Sequence, residues 1–244
     1  MGHIIEEVAL QRGHEIVCRI EPTPERFYDR PQDAQSGKAL HPEGKEIYSP
    51  EEGFQSKAFR SAEVAIEFTT PLTAKENILR AWAQGVPVVC GSTGWKPEEL
   101  RVESLELREE GSKKLIVEKS TGKTMLVWSS NFSVGVNIFF ELNKMLAEKM
   151  AAQPQYTPSI TETHHIHKLD KPSGTARTLA EGLRVMGYGI QDAEIESIRE
   201  GEVPGTHEVK WDSEEDTIVI THIAKGRRGF ALGAVLAAEE IANR

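Results

Sequence analysis

Val86-Pro87-Val88-Val89-Cys90-Gly91-Ser92-Thr93-Gly94-Trp95 opens as a nearly unbroken apolar run and closes as a glycine-rich turn. A strand that is apolar on both faces belongs inside a parallel sheet with helices on either side. Upstream, Leu72 to Gln84 has helical periodicity and is closed by Gly85. Before it, Ala62 to Phe68 reads as a strand ending in the turn Thr69-Thr70-Pro71. Nearer the start, Ile4, Ile5, Val8 and Ala9 are spaced as on a helix over residues 4 to 12, Gly13 ends it, and Glu15 to Ile20 reads as a strand. Residues 22 to 53 are rich in Pro, Gly and charge and read as a long polar excursion. Downstream, Pro97 to Glu110 reads as a helix, and Lys114 to Val117 and Met125 to Trp128 as strands.

Strands alternating with helices predict an α/β fold with a doubly wound, Rossmann-like parallel sheet. Ligands of such sheets bind beyond the C-terminal ends of the strands. Glu21, Thr69, Gly91 to Thr93 and Ser129 to Phe132 all fall at such ends. The second half differs. Val134 to Met150 is a long amphipathic helix, Ser159 to His165 a strand and Thr175 to Met186 a helix. Strand-like runs follow at Ala193 to Arg199, His207 to Trp211 and Thr217 to Ala224, and Phe230 to Ala242 is an apolar helix. The expected organisation is a dinucleotide-binding domain over residues 1–130 completed by 227–244. An α+β domain with a mostly antiparallel sheet, for substrate binding and oligomerisation, is expected over 131–226.

Composition narrows the function. The 244 residues carry a formal net charge of −9, which argues against nucleic acid as the main partner. No stretch reaches the roughly 18 to 20 apolar residues of a membrane span. Acidic residues at Glu6 and Glu7 come too early for a signal peptide. Cys18 and Cys90 each sit in an apolar run and read as buried thiols of a reducing cytosol. There is no internal repeat. His3, His14 and His41 read as surface residues, and Phe139 and Phe140 as core.

The densest chemical signal is Glu162-Thr163-His164-His165-Ile166-His167-Lys168-Leu169-Asp170-Lys171-Pro172-Ser173-Gly174-Thr175-Ala176. It runs off a strand and into a helix. Pro172 and Ser173 suit a helix start, and the amides after them form a natural anion site. With His164, His165 and Lys168 beside it, the stretch could hold a carboxylate while a neighbouring atom is protonated, which is general acid work. Two other readings stand beside this one. Three histidines with Glu162 and Asp170 could ligate a metal, but Lys168 would repel a cation and no zinc spacing occurs, so no metal is expected. The plainer reading is a polar strand end with solvated histidines.

That segment resembles the signature of the dihydrodipicolinate reductases, Glu-x-His-His-x-x-Lys-x-Asp-x-Pro-Ser-Gly-Thr-Ala. Glu67-Phe68-Thr69-Thr70-Pro71 resembles the family's loop by the nicotinamide. Gly91-Ser92-Thr93-Gly94-Trp95 resembles its Gly-Thr-Thr-Gly-x loop, with Ser92 in place of one Thr. Ser129-Ser130-Asn131-Phe132-Ser133-Val134-Gly135 resembles its hinge and cofactor loop. Arg199-x-Gly201-x-x-x-Gly205-x-His207 and Arg227-x-x-Phe230-Ala231-x-Gly233-Ala234 resemble its late motifs. The likeness covers nearly the whole chain except residues 22 to 53.

The resemblance implies NADH- or NADPH-dependent reduction of 4-hydroxy-tetrahydrodipicolinate in lysine and diaminopimelate synthesis. It implies His164 and Lys168 as proton donors, and His165, Lys168, Gly174 and Thr175 as the holders of the substrate carboxylates. Cofactor contacts are implied at Thr69, Gly91, Ser92, Thr93, Ser129, Ser130, Asn131, Phe132, Arg227 and Phe230. Glu21 would accept from the adenosine ribose, while Arg19 and Arg26 nearby would favour a 2′-phosphate. A cytoplasmic homotetramer acting on a small dicarboxylate is the implied assembly. One departure is expected: Met1-Gly2-His3 resembles only the tail of the glycine-rich loop, so Met1 lies at the cofactor and the strand before that loop is missing from the sheet. A homologue that keeps the dicarboxylate site but is impaired in catalysis is the alternative.

Overall fold

The computed structural model describes residues 1–23, 39–40, 46–95, 97–100, 105–110, 113–118 and 125–243. The chain divides into two compact units. The first comprises Met1–Arg108, Lys114–Trp128 and Ala234–Arg244, and the second Glu109–Lys113 and Ser129–Gly233.

In the first unit, α1 (Gly2–Gln11) is followed by β1 (Arg19–Ile20), β2 (Ala39–Leu40), β3 (Glu46–Tyr48), and two single turns, α2 (Pro50–Gly53) and α3 (Lys57–Arg60). Then come β4 (Ala65–Glu67), α4 (Pro71–Ala83), β5 (Val88–Cys90), β6 (Leu105–Glu110), β7 (Lys113–Glu118) and β8 (Met125–Ser129). Serines start the short turns: Ser49 and Ser56 accept from Glu52 N and Phe59 N. Pro71 suits the first turn of α4, where its missing N–H costs nothing. Gly85, at φ 75, ends α4 in a left-handed turn that sends Val86 N back to Ala81 O.

β4, β5 and β8 pair in parallel, in a sheet of order β4-β5-β8-β7-β6. Val88, Val89 and Cys90 are fully buried, as a strand covered on both faces requires. Ala74, Ile78, Ala81 and Trp82 of α4 pack on that sheet. β1 pairs in parallel with β3, and β3 antiparallel with β2, in a second small sheet. β1 and β4 are each the edge of their sheet. Between them lies a cavity of about 550 Å³, walled by Ile5, Ile16, Cys18 and Ile20 on one side and Ile66 and Val88 on the other. Among the described residues no strand joins β1 to β4.

In the second unit, α5 (Val134–Met150) and α6 (Gly174–Val185) cover one face of a four-stranded sheet of order β10-β9-β11-β12. Its strands are β9 (Thr157–His164), β10 (Glu196–Arg199), β11 (Thr206–Asp212) and β12 (Thr217–Ile223). β10 is parallel to β9, and the β9–β11 and β11–β12 pairs are antiparallel. Phe139, Phe140, Leu179, Leu183, Val209 and Trp211 form the core between helices and sheet. The last helix, α7 (Arg228–Ala242), starts in the second unit and ends in the first, where Glu239 accepts from Arg12 at 2.6 and 2.7 Å.

Three expectations need correction. Pro97 to Glu110 is not a helix: a single 3-10 turn at Pro97–Glu99 is followed by strand β6. Leu105 and Leu107 alternate with charged residues, a period of two that fits a strand and not a helix. The strand expected over Glu15 to Ile20 shrinks to Arg19–Ile20, because β3 supplies ladder partners only at those positions. The excursion at residues 22–53 contains β2, β3 and α2, so it adds two strands to the small sheet. Residues 24–38 and 41–45, with Arg26 and His41, lie outside the described residues.

Candidate active site

The signature segment is built by strand alternation. Along β9, Ile160, Glu162 and His164 point to the buried face, and along β11 His207, Val209 and Trp211 do the same. The register pairs Ile160 with Val209 and Glu162 with His207, and β10 sets Arg199 beside His164. The apolar core of the second unit thus runs directly into a polar end on the same face. Glu162 is 0 %, His207 4 % and His164 7 % exposed, so His164 is not a solvated strand-end histidine. His165 is half-buried and His167 exposed.

A buried carboxylate is costly unless its oxygens are filled. Glu162 Oε1 accepts from Ser173 N at 3.1 Å and Arg199 Nη2 at 3.0 Å. Its Oε2 lies 2.6 Å from His164 Nδ1 and 3.9 Å from His207 Nε2. Burial raises the Glu162 carboxyl, but the donors from His164, Ser173 and Arg199 outweigh it and hold the group well below the usual carboxylate range. His207 is pushed down to about 3, first by burial and then by neighbouring His164. It is neutral at pH 7, with Nε2 3.0 Å from Ser173 Oγ. The two rings meet edge to face, 4.9 Å apart.

Beyond His164 the chain turns. Arg199 ties that turn down, donating to Lys168 O at 3.2 Å and Asp170 O at 2.6 Å. Lys168 Nζ pairs with Asp170 Oδ1 at 2.7 Å. Ser173 caps α6 by accepting from Ala176 N at 3.2 Å, which leaves the Gly174 and Thr175 amides at an open helix start. Thr175 Oγ1 accepts from Asn131 Nδ2 at 3.2 Å, so the segment after β8 meets the signature helix within the second unit. Asn131 is itself fixed: its Oδ1 accepts from Ser133 N at 2.8 Å, and its backbone N donates to Ser129 Oγ at 3.2 Å. Ser130 is half-buried between them. Phe132 is buried, and its carbonyl lies where a side chain on Gly233 would be, 1.6 Å from a Cβ there. Arg227 is exposed, and Phe230 N donates to its carbonyl at 3.2 Å.

In the first unit the strand ends carry the other residues singled out in the sequence. The Phe68 ring lies against Gly91, where a Cβ would come within 2.2 Å of it. Ser92 is buried, and its carbonyl accepts from both Trp95 Nε1 and Trp128 Nε1, at 2.9 and 3.0 Å. These bonds hold the loop on which Thr93 stands exposed. Buried Glu67 accepts from Thr69 N at 3.0 Å, from the Thr69 hydroxyl, and from Cys90 Sγ at 3.0 Å. Cys18 and Cys90 are both free thiols. Glu21, at the end of β1, accepts from Arg19 Nε at 3.1 Å and Nη2 at 3.0 Å. Met1 is the N-cap of α1 and forms no side-chain cap bond; Met1, Glu21 and Thr69 all line the 550 Å³ cavity.

Glu162, Arg199, His207 and Ser173 are functional candidates that stand in the quoted motifs but were given no catalytic or substrate-binding role from the sequence. The signal was present, since the polar residues 162, 164 and 207 continue the inward period-two rows of Ile160, Val209 and Trp211. Glu162, His164 and His207 also form a cluster of metal-ligating type, with ligand atoms within 4.8 Å of one another. Arg199 at 3.0 Å opposes a further cation there.

Two family models match the chain. Dihydrodipicolinate reductase, N-terminus, matches residues 1–132, and dihydrodipicolinate reductase, C-terminus, matches residues 135–244. A curated 4-hydroxy-tetrahydrodipicolinate reductase of Christiangramia forsetii is 35% identical over 254 residues, covering 100% of this chain and 89% of the relative. One of Methanoculleus marisnigri is 35% identical over 198 residues, covering 76% and 72%. Among solved structures, a dipicolinate-bound dihydrodipicolinate reductase from Paenisporosarcina sp. TG-14 is similar in fold. Its TM-score is 0.68 at 19% identity, over 100% of this chain and 91% of that one.

Proposed function

The chain belongs to the dihydrodipicolinate reductase family, and on that premise we propose that it reduces 4-hydroxy-tetrahydrodipicolinate to tetrahydrodipicolinate with a nicotinamide cofactor, in lysine and diaminopimelate synthesis. The observation that carries the assignment of roles is the buried Glu162–His164 pair beside the open start of α6.

The substrate is a small dicarboxylate. One carboxylate is proposed to sit on the Gly174 and Thr175 amides, where unpaired N–H groups and the helix dipole favour an anion. His165 and Lys168 add donors and positive charge beside it. Once water has left the 4-hydroxy carbon, a nicotinamide held by the residues named below would supply hydride to the ring, and the adjacent carbon would need a proton. His164 and Lys168 are the proposed donors of that proton.

Cofactor contacts are proposed for Met1, Glu21, Thr69, Gly91, Ser92 and Thr93 in the first unit. Ser129, Ser130, Asn131, Phe132, Arg227 and Phe230 are proposed in the second. The fit is supported by Gly91, which is packed too closely on Phe68 for any side chain. It is also supported by the start of α1, where the N-cap residue Met1 makes no side-chain cap bond. At Glu21 a carboxylate suited to ribose hydroxyls and a guanidinium suited to a 2′-phosphate lie 3.0 Å apart, so either NADH or NADPH is proposed to serve. Among the described residues no helix is long and apolar enough to cross a membrane. A cytoplasmic homotetramer, assembled through the sheet of the second unit, is the proposed state.

Steady-state kinetics test the roles. His164→Gln and Lys168→Ala should mainly lower turnover, by about 10²- to 10⁴-fold for a lost general acid. His165→Ala and Thr175→Val should mainly raise KM, since they remove binding shared by ground and transition states. Unchanged turnover in both the His164 and Lys168 variants would refute the assignment.

A further inference from the structure

Glu162 touches the site from two directions at once. Its Oε2 lies 2.6 Å from His164 Nδ1, and its Oε1 accepts from Ser173 N, the residue that starts α6. Arg199 holds the same Oε1 and also the Lys168 and Asp170 carbonyls. One fully buried carboxylate therefore stands against the imidazole and holds the helix start beside it, while its partner Arg199 ties the turn between them.

The tautomer of His164 follows from this geometry. An ionised carboxylate only accepts hydrogen bonds, so the ring nitrogen facing it must carry a hydrogen. The other nitrogen, Nε2, faces Gly205, where a Cβ would stand 3.0 Å away. The glycine leaves that nitrogen uncovered.

We propose that Glu162 is a positioning residue for the reductase reaction: it holds His164 Nδ1 protonated, so that Nε2, passing Gly205, is the nitrogen through which the proton is delivered. When solvent also protonates Nε2, the imidazolium stands 2.6 Å from the Glu162 carboxylate, and this Nε2 proton is the one donated. The other charged or titratable groups around the ring are His207, Arg199, Lys168 and Asp170. His207 is neutral and Arg199 is already bound to Glu162, so neither replaces the carboxylate at Nδ1. The role of the proton rests on the proposed function; the tautomer rests on the 2.6 Å approach of Glu162 Oε2 to His164 Nδ1.

Nitrogen-15 histidine NMR and kinetics together decide it. In the neutral imidazole of the wild-type chain, His164 Nδ1 should be protonated and therefore shielded relative to an unprotonated Nε2, with a strongly deshielded Nδ1 proton. In Glu162→Gln, Arg199 and Ser173 N should claim the amide oxygen and leave the NH₂ group facing His164. The tautomer should then reverse, and turnover should fall by about 10²-fold or more, with the affinity for dipicolinate, the probe for the carboxylate site, changed less than threefold. Gly205→Ala should lower turnover while keeping the Nδ1 signal. A wild-type His164 protonated at Nε2 with Nδ1 bare overturns the proposal, whether or not the Gln variant folds. So does a folded Glu162→Gln protein with wild-type turnover. If the wild-type chain is inactive on the hydroxy substrate yet shows the Nδ1 tautomer, the functional reading fails and the positioning by Glu162 stands.

Discussion

Burial, and after it the neighbouring His164, push the His207 imidazole down to about 3. An unfolded histidine titrates near 6.5, so the folded state binds fewer protons than the unfolded one between those values. The His207 contribution is therefore complete above about pH 6.5 and is lost as pH falls toward 3, at about 1.4 kcal/mol per pH unit. Glu162 has the same sign lower down, since its carboxyl is held below the usual range and its contribution fades below about pH 4.5. Melting temperatures of wild type and His207→Asn between pH 7 and pH 4 check this. The wild type should lose stability more steeply, and parallel curves would show that His207 is not buried neutral.

Elements with one dominant period were legible in the sequence. Val88 to Cys90 is apolar at every position and is a buried parallel strand; Val134 to Met150 repeats apolar residues at helical spacing and is a helix. Leu105 to Glu110 was misread because its alternation is short and follows a proline and two glutamates that suit a helix start. The signature segment showed which residues carry chemistry, but cross-strand register was invisible. Nothing in a linear reading sets His207 against Glu162 or Arg199 beside His164. The cavity between β1 and β4 also belongs to this scale. Its apolar walls and two open sheet edges suit an extended apolar segment, because edge groups and exposed apolar surface are both unfavourable. A designed five-residue apolar strand with a short glycine turn, fused ahead of Met1, should enter it and raise the melting temperature by several degrees. A lysine-alternating version should not. Equal melting temperatures for both fusions would show that the walls close without a strand.

At the scale of the whole molecule, the proposed tetramer has a surface to use. One face of the β10-β9-β11-β12 sheet is covered by α5 and α6, while β12 leaves Val219 46 % and Ile223 65 % exposed. Light scattering should give four times the 27.1 kDa chain mass, and Ile223→Glu should shift it toward smaller species. A monomeric wild type would remove the proposed assembly. The central claim is the reaction itself, and the most direct measurement is oxidation of NADH and NADPH followed optically with the purified chain. Oxidation should require the hydroxy-tetrahydrodipicolinate substrate and be absent with simple 2-oxo acids. Oxidation with 2-oxo acids and none with that substrate would contradict the account.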